Sequence, residues 1–246
     1  MIELTWLDPS KLEFPPVEQA MQDPDGLLAV GGDLSKERLL LAYSKGIFPW
    51  YEDDQPLLWW SPDPRAVIEP QNVKISRSLR KKLRKQEFEV RVDTAFDDVV
   101  KRCQNPRAYS NETWITNEMR QAYLALHRDS YAHSIECYQD KELVGGLYGV
   151  SIGRLFFGES MFHTATDASK VAFVALCRLL RQQGCPLVYC QMPNPHIMSL
   201  GVETITRSEF MLHLLNNNKL KSNEWINWPS LQGALCIDTM ELADTN

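Results

Sequence analysis

A single carboxylate in an apolar double strand constrains this chain most. The stretch Gly145 to Phe162 reads as two strands joined by a short turn over Ser151 to Arg154, with Gly153 free to take a positive φ. The second strand, Leu155-Phe156-Phe157-Gly158-Glu159-Ser160-Met161-Phe162, is apolar on both faces and so belongs in the middle of a sheet. Glu159 within such a run is costly unless it is paired or hydrogen-bonded. It either reaches the rim or pairs with a buried Arg, or it forms the floor of a site for a cation.

The sequence around that strand sets the layout. Ser134 to Gln139 reads as the preceding strand, with Asp140-Lys141 as the turn. His163 to Ser169 is a polar loop, and a helix capped by Asp167 follows. Its residues Val171, Phe173, Val174, Leu176, Leu179 and Leu180 cover most of the surface, so it is buried on more than one side. Arg178 and Arg181 suit its C-terminal dipole, and Gly184 is the expected stop. Pro186 to Met192 reads as another strand, parallel to the one carrying Glu159 through a right-handed crossover. Tyr189 and Gln191, two apart, should share a face. The expected class is α+β, mixed α/β, with a central mixed sheet. A β-meander feeding a βαβ unit resembles the acyl-CoA N-acyltransferase (GNAT-type) fold, a likeness that by itself gives no function.

Elsewhere the chain reads as follows. Residues 13–32 are rich in Gly and Pro and suggest loops. Asp33 or Ser35 can cap a helix to about Ser44, with Leu39, Leu40 and Tyr43 on its packed face. Phe48 to Trp60 holds five aromatic side chains in a region too proline-rich for regular structure. These either close a small domain or form a stacking platform. Pro62 and Pro64 mark a boundary between a small domain, residues 1–62, and the rest, 63–246. Ser76 caps a surface helix over 77–85 that packs by Leu79 and Leu83. Around it Lys74, Arg77, Arg80, Lys81, Lys82, Arg84 and Lys85 place seven positive charges in twelve residues with no acid, which points to phosphate binding. Further on come a strand at Glu87–Val92, a short helix at Phe96–Cys103, and a helix capped by Thr116 with Met119, Tyr123 and Leu126 in one stripe. Trp114 lies in the connection before it. A loop with one short helix spans Pro193 to Gly201, a last helix Arg207 to Asn216, and a mobile acidic tail starts at Gln232.

Composition narrows the class. The chain has 246 residues, 44% hydrophobic and 24% charged, with a net charge of −6. It has no apolar run long enough for a membrane span and no secretory leader pattern. Six cysteines without a C-x-x-C pair read as reduced thiols, hence a cytoplasmic protein. Five scattered histidines show no metal-ligand spacing, so no metal is expected. Walker A, G-x-G-x-x-G and G-x-S-x-G patterns are missing. The Gly-rich pyrophosphate turn of CoA-dependent acyltransferases is replaced by His163-Thr164-Ala165-Thr166-Asp167-Ala168-Ser169-Lys170, which disfavours CoA.

Several long motifs then carry a resemblance. Gly26 to Leu34, Gly46-Ile47-Phe48-Pro49-Trp50, Trp59 to Val67, Thr113-Trp114-Ile115-Thr116, the Gly145 to Phe162 block, Ala168-Ser169-Lys170 and Ser199-Leu200-Gly201 resemble the leucyl/phenylalanyl-tRNA–protein transferase family over nearly the whole chain. The resemblance implies transfer of Leu, Phe and less often Met from aminoacyl-tRNA to the α-amino group of proteins beginning with Arg or Lys, which marks them for degradation. It implies no cofactor, since the donor ester is already activated, and the expected state is a small monomer. By matching position, Trp50 and Trp114 resemble the pair that sandwiches the terminal adenosine, with Tyr43 nearby. Leu147, Phe156, Leu176 and Leu180 resemble the donor side-chain pocket, with Ser160 among the substrate contacts. Glu159 resembles the acid that receives the acceptor's cationic residue, Gln191 the group that orients the attacking amine, and Asn194 a member of the same loop. The Lys74 to Lys85 segment resembles the basic surface for the acceptor stem. One departure stands out: the family commonly has Asp where this chain has Tyr189, placing a phenol among the catalytic positions. A binding protein that holds aminoacyl-tRNA without turnover is the alternative. Glu159 and Gln191 argue against it and Tyr189 for it.

Overall fold

The Glu159 strand is the middle one of a seven-stranded sheet. In the computed structural model, which describes residues 4–105 and 115–232, the chain begins with β1 (Thr5–Leu7), β2 (Leu27–Gly31), α1 (Lys36–Ser44), β3 (Phe48–Pro49), β4 (Leu58–Trp60) and β5 (Arg65–Ile68). It continues through α2 (Arg77–Arg84), β6 (Glu89–Val92), α3 (Phe96–Gln104) and α4 (Asn117–Arg128). Then come β7 (Ala132–Gln139), β8 (Glu142–Ile152), β9 (Leu155–His163), α5 (Ala168–Gln182), β10 (Leu187–Tyr189), α6 (Pro195–Met198), β11 (Glu203–Ile205) and α7 (Arg207–Asn217). The large sheet runs β11-β5-β10-β9-β8-β7-β6, and a small one runs β1-β2-β4-β3. The large sheet is mixed: β10 is parallel to β9, and its other pairs are antiparallel. Trp114 and the tail from residue 233 lie outside the described residues.

Local signals act where the sequence places them. Ser35, Ser76 and Thr116 accept backbone N–H groups at the starts of α1, α2 and α4. Gly46 and Gly184 take positive φ just past α1 and α5. Asp167 departs from expectation. It precedes α5 in the left-handed region, at φ 69°, and makes no capping bond. Its carboxylate instead pairs with Lys170 at 2.9 Å, one turn along the helix.

Two cores lie on either side of the large sheet. One joins the α2 stripe of Leu79 and Leu83 to the apolar length of α5. The other joins α1, α3, α4 and α7 to the small sheet. Two stretches whose Gly and Pro content suggests irregular chain are strands instead. Leu27 to Gly31, inside the Gly- and Pro-rich stretch, is a strand, and so are Phe48–Pro49 and Leu58–Trp60. β2 pairs with β4 across an intervening helix and strand, and β3 is only two residues long, so local turn residues could not reveal them. Trp59 is fully buried there, while Trp50 is half-buried.

The β8–β9 turn is held from a distance. Gly153 has φ 63°, and a Cβ on it would lie 2.4 Å from the side-chain oxygen of Asn217. Asn217, at the end of α7, accepts from Arg154 N at 2.7 Å and donates to Ile152 O at 2.8 Å. Asn217→Ala leaves the buried Ile152 carbonyl and the partly buried Arg154 N–H without that partner, at a cost of about 2–3 kcal/mol. A thermal melt should show Tm falling by roughly 5–10 °C; an unchanged Tm would mean the turn holds itself.

Candidate active site

The site forms where two parallel strands part. β9 and β10 pair through Leu155–Leu187, Phe156–Val188 and Phe157–Tyr189. Beyond that level β10's continuation follows β5 instead: Cys190 N donates to Ala66 O at 2.8 Å, and Ala66 N donates to Gln191 O at 3.1 Å. Gln191 takes φ 59°, which turns the chain away from β9. The gap opens into a cavity of about 1000 Å³. Gly158, Glu159, Ser160 and Met161 line one side, and Cys190, Gln191 and Met192 the other.

Glu159 sits in the wall of this gap, 7% exposed. Tyr43 donates to its Oε1 at 2.8 Å, Tyr123 to its Oε2 at 2.9 Å, and Gln191 Nε2 to Oε2 at 2.8 Å. The Tyr43 and Tyr123 oxygens lie 2.8 Å apart, and with both hydroxyl hydrogens on Glu159 that contact is close packing of two oxygens rather than a further bond. Burial pushes the carboxyl up to about 7 while the three donors pull it down. Among the described residues no arginine holds it, so the buried-Arg reading of this residue is set aside in favour of a carboxyl on two phenols and an amide. Burial and the adjacent carboxyl raise both phenols above their ordinary range, so they remain neutral donors.

The structure sorts the sequence candidates. Trp50, Leu147, Glu159, Ser160, Leu176, Gln191 and Asn194 all line the cavity. Asn194 also caps α6, accepting from Ile197 N at 3.1 Å. Phe156 and Leu180 do not line it: both are fully buried in the α5 core, and Phe156 packs 5.8 Å from Trp228. Phe156 is the register partner of Val188, which does line the cavity; the ring of Phe156 packs against Trp228 instead of facing the gap. In their place Phe173, Val188 and Met161 complete an apolar wall. Tyr43 lies beneath Glu159 rather than at the wall, and Tyr189 lies behind it. Tyr189 points toward Arg65, not toward Gln191. Periodicity gives Tyr123 only a place in the α4 stripe; a hydroxyl in an otherwise apolar stripe is the signal that could separate it.

The basic segment reaches the loop after β9, whose first residue, Thr164, lines this cavity. The Lys82 ammonium donates to Thr166 O, two residues from the lining residue Thr164. Arg77, Lys81, Arg84 and Lys85 are exposed on the same short stretch.

The histidines are less scattered than their spacing suggests. Asp93, His127 and His133 come together away from the cavity lining. Their groups already have protein partners: His133 contacts Asp93 at 2.7 Å and Ser130 O at 3.0 Å, and His127 contacts Ala132 O at 2.7 Å. The cluster is built as a packed polar network, with His133 stacked on Trp228 at 4.0 Å.

Among the described residues no helix is long and apolar enough to cross a membrane. The leucyl/phenylalanyl-tRNA protein transferase family model matches residues 67–215, and the model of that family's N-terminal domain matches 32–63. The leucyl/phenylalanyl-tRNA–protein transferase of Pseudomonas entomophila (strain L48) is 56% identical over 211 residues, 86% of this chain and 93% of its own length. That of Pseudomonas putida (strain KT2440) is 54% identical over 224 residues, covering 91% and 99%. That of Aromatoleum aromaticum is 56% identical over 213 residues, covering 87% and 90%. Solved structures are more distant. A GCN5-related glucosamine N-acetyltransferase region of a fungal β-N-acetylglucosaminidase is 15% identical with a TM-score of 0.43, over 73% of this chain and 23% of that one. L-PGS from Bacillus licheniformis is 10% identical with a TM-score of 0.39, over 65% and 52%. These likenesses are too loose to carry weight, and the mixed α/β architecture rests on the sheet order itself. The length and identity of the sequence matches decide the family: this chain belongs to the leucyl/phenylalanyl-tRNA–protein transferases.

Proposed function

We propose that the chain transfers Leu, Phe and less often Met from aminoacyl-tRNA to the α-amino group of proteins that begin with Arg or Lys. The observation that carries this reading is the buried Glu159, held by two phenols and Gln191 in the wall of a gap that also has an apolar face. An anionic and an apolar subsite side by side suit a cationic acceptor residue and an apolar donor side chain. In the reaction the acceptor amine attacks the ester carbonyl. A C–N bond forms, the ester C–O bond breaks, the tRNA hydroxyl leaves, and one amine proton passes to that oxygen or to water. Catalysis is then mostly placement.

Glu159 receives the guanidinium or ammonium of the acceptor's first residue. Gln191, whose Nε2 is committed to Glu159, presents its Oε1 to the attacking amine. An amide does not titrate, so Gln191 orients and does not remove the proton. Leu147, Phe173, Leu176 and Val188 form the donor slot, which favours side chains unbranched at Cβ by about 1–3 kcal/mol. Trp50 offers a ring to the terminal adenine. The division into residues 1–62 and 63–246 belongs to the same reading, supported by two family models that meet between 63 and 67.

The α2 region takes the acceptor stem's phosphates in this proposal. Replacing Arg77, Lys81 and Arg84 with Gln should weaken aminoacyl-tRNA binding and flatten its log–log salt dependence by about one unit for each phosphate no longer neutralised. A salt slope equal to wild type would place the tRNA elsewhere. The acceptor half is tested by offering Leu-tRNA with equimolar peptides beginning with Arg, Lys, Gly or Glu and reading the products by mass spectrometry. Leu should be added to the first two; equal addition to all four would remove Glu159 from acceptor choice.

A further inference from the structure

A buried arginine without an acid partner among the described residues stands directly behind the site. Arg65, the first residue of β5, is fully buried. Its guanidinium donates to Tyr189 Oη at 2.5 Å, to Gly46 O, and to Ser61 Oγ at 3.2 Å. It lies 5.0 Å from the ring centroids of both Tyr189 and Phe210. Its Nε has no partner, and no described carboxylate is within ion-pair distance. A buried cation met only by neutral oxygens and ring faces is costly to keep, so its placement calls for a reason.

The geometry supplies one. Gly46 closes α1, the helix whose Tyr43 donates to Glu159. Tyr189 ends β10, two residues before Gln191, which also donates to Glu159. Arg65 therefore bridges the roots of two arms that converge on one carboxyl. Its neighbour Ala66 bonds the backbone of both Cys190 and Gln191 and so holds the left-handed turn at Gln191. Tyr189 itself is 2% exposed, does not line the cavity, and stacks on Phe210 at 4.6 Å. Burial raises its phenol above the ordinary range, against the pull of Arg65, so it is neutral at working pH.

We propose that Arg65 and Tyr189 form a clamp that positions Gln191 and Tyr43 around Glu159, and that Tyr189 takes no part in proton transfer. This rests on the transfer reaction proposed above. The test uses the full chain as Tyr189→Phe, Arg65→Met and the double variant, with Arg65→Lys as a milder probe should Arg65→Met not fold. Tyr189→Phe should lower kcat roughly ten- to hundredfold by misplacement, with donor KM and the shape of the pH profile unchanged. It should also lower Tm, because the cation loses a partner. Arg65→Lys, which keeps the charge but cannot span three acceptors, should lower kcat similarly. Adding Arg65→Met to Tyr189→Phe should recover Tm, because the stranded cation is gone, and should leave kcat low, because the bridge is still broken. Recovery of kcat together with Tm would reduce the pair to fold stability. A wild-type kcat in Tyr189→Phe, or an altered pH profile, would overturn the clamp. Independently of any transfer activity, the side-chain amide resonances of Gln191 in a ¹⁵N spectrum should shift in Tyr189→Phe; resonances that stay put would contradict the proposal even if the chain catalyses another reaction.

Discussion

Glu159→Gln should lower kcat/KM for peptides beginning with Arg or Lys by about two orders of magnitude and leave donor KM unchanged. The substitution keeps shape and removes the anion. A charge-assisted bond at a buried site is worth roughly 1.5–3 kcal/mol, and it applies only to the acceptor. The pH dependence sharpens the test. The wild-type carboxyl ionises at about 7, so its attraction for argininamide should rise as pH climbs from 6 to 8, and that rise should vanish in the variant. Stability runs the other way. The folded carboxyl binds its proton more tightly than an unfolded one, whose value is 4.5. Its contribution is therefore full below about pH 4.5 and is lost as pH rises through 7. Between pH 5 and pH 8 the Tm of Glu159→Gln should improve relative to wild type. Lost tRNA affinity in this variant would show that the carboxyl holds the fold rather than the acceptor.

Trp50→Ala should raise donor KM roughly ten- to hundredfold, equally for Leu-, Phe- and Met-tRNA, with acceptor KM unaffected. Base–aromatic stacking is worth about 1–3 kcal/mol and ignores the amino acid carried. Trp50 is suited to this because it is half-buried at the cavity edge, 5.4 Å from the Trp60 ring, and its carbonyl accepts from Trp60 Nε1 at 2.6 Å. Its backbone is thus fixed by β3 and β4 while one part of the ring stays open. Trp50→Phe, which retains a smaller ring, should recover part of the loss. A donor KM unchanged in Trp50→Ala would return Trp50 to the aromatic cluster that merely closes the small sheet.

Features written in short-range chemistry are readable from the chain. Caps at Ser35, Ser76 and Thr116, the Gly153 turn and the buried length of α5 each depend on residues within one or two turns. The small sheet is hidden because its strands have two to five residues and its pairings join distant segments. The spacing of Tyr189 and Gln191 predicts one shared strand face. Tyr189 pairs with β9, but Gln191 lies past the paired level and reaches Glu159 through a left-handed turn rather than by strand alternation. The parting of β9 and β10 sets where the cavity opens, beyond the Phe157–Tyr189 level. Val188, one residue before that level, and Phe173 line its wall, while Phe156 and Leu180 stay in the core. Where two parallel strands separate depends on competing bonds from β5, which no periodicity in the sequence records. Asn217 likewise acts on the β8–β9 turn at Arg154 from 63 residues away.

The most direct measurement is transfer of radiolabelled Leu from Leu-tRNA to a peptide beginning with Arg, followed in a single turnover with enzyme in excess. Label should move to the peptide's α-amine, and blocking that amine by acetylation should abolish the product. Tight binding of Leu-tRNA with no transfer to the free amine would contradict it and leave the chain a carrier of aminoacyl-tRNA.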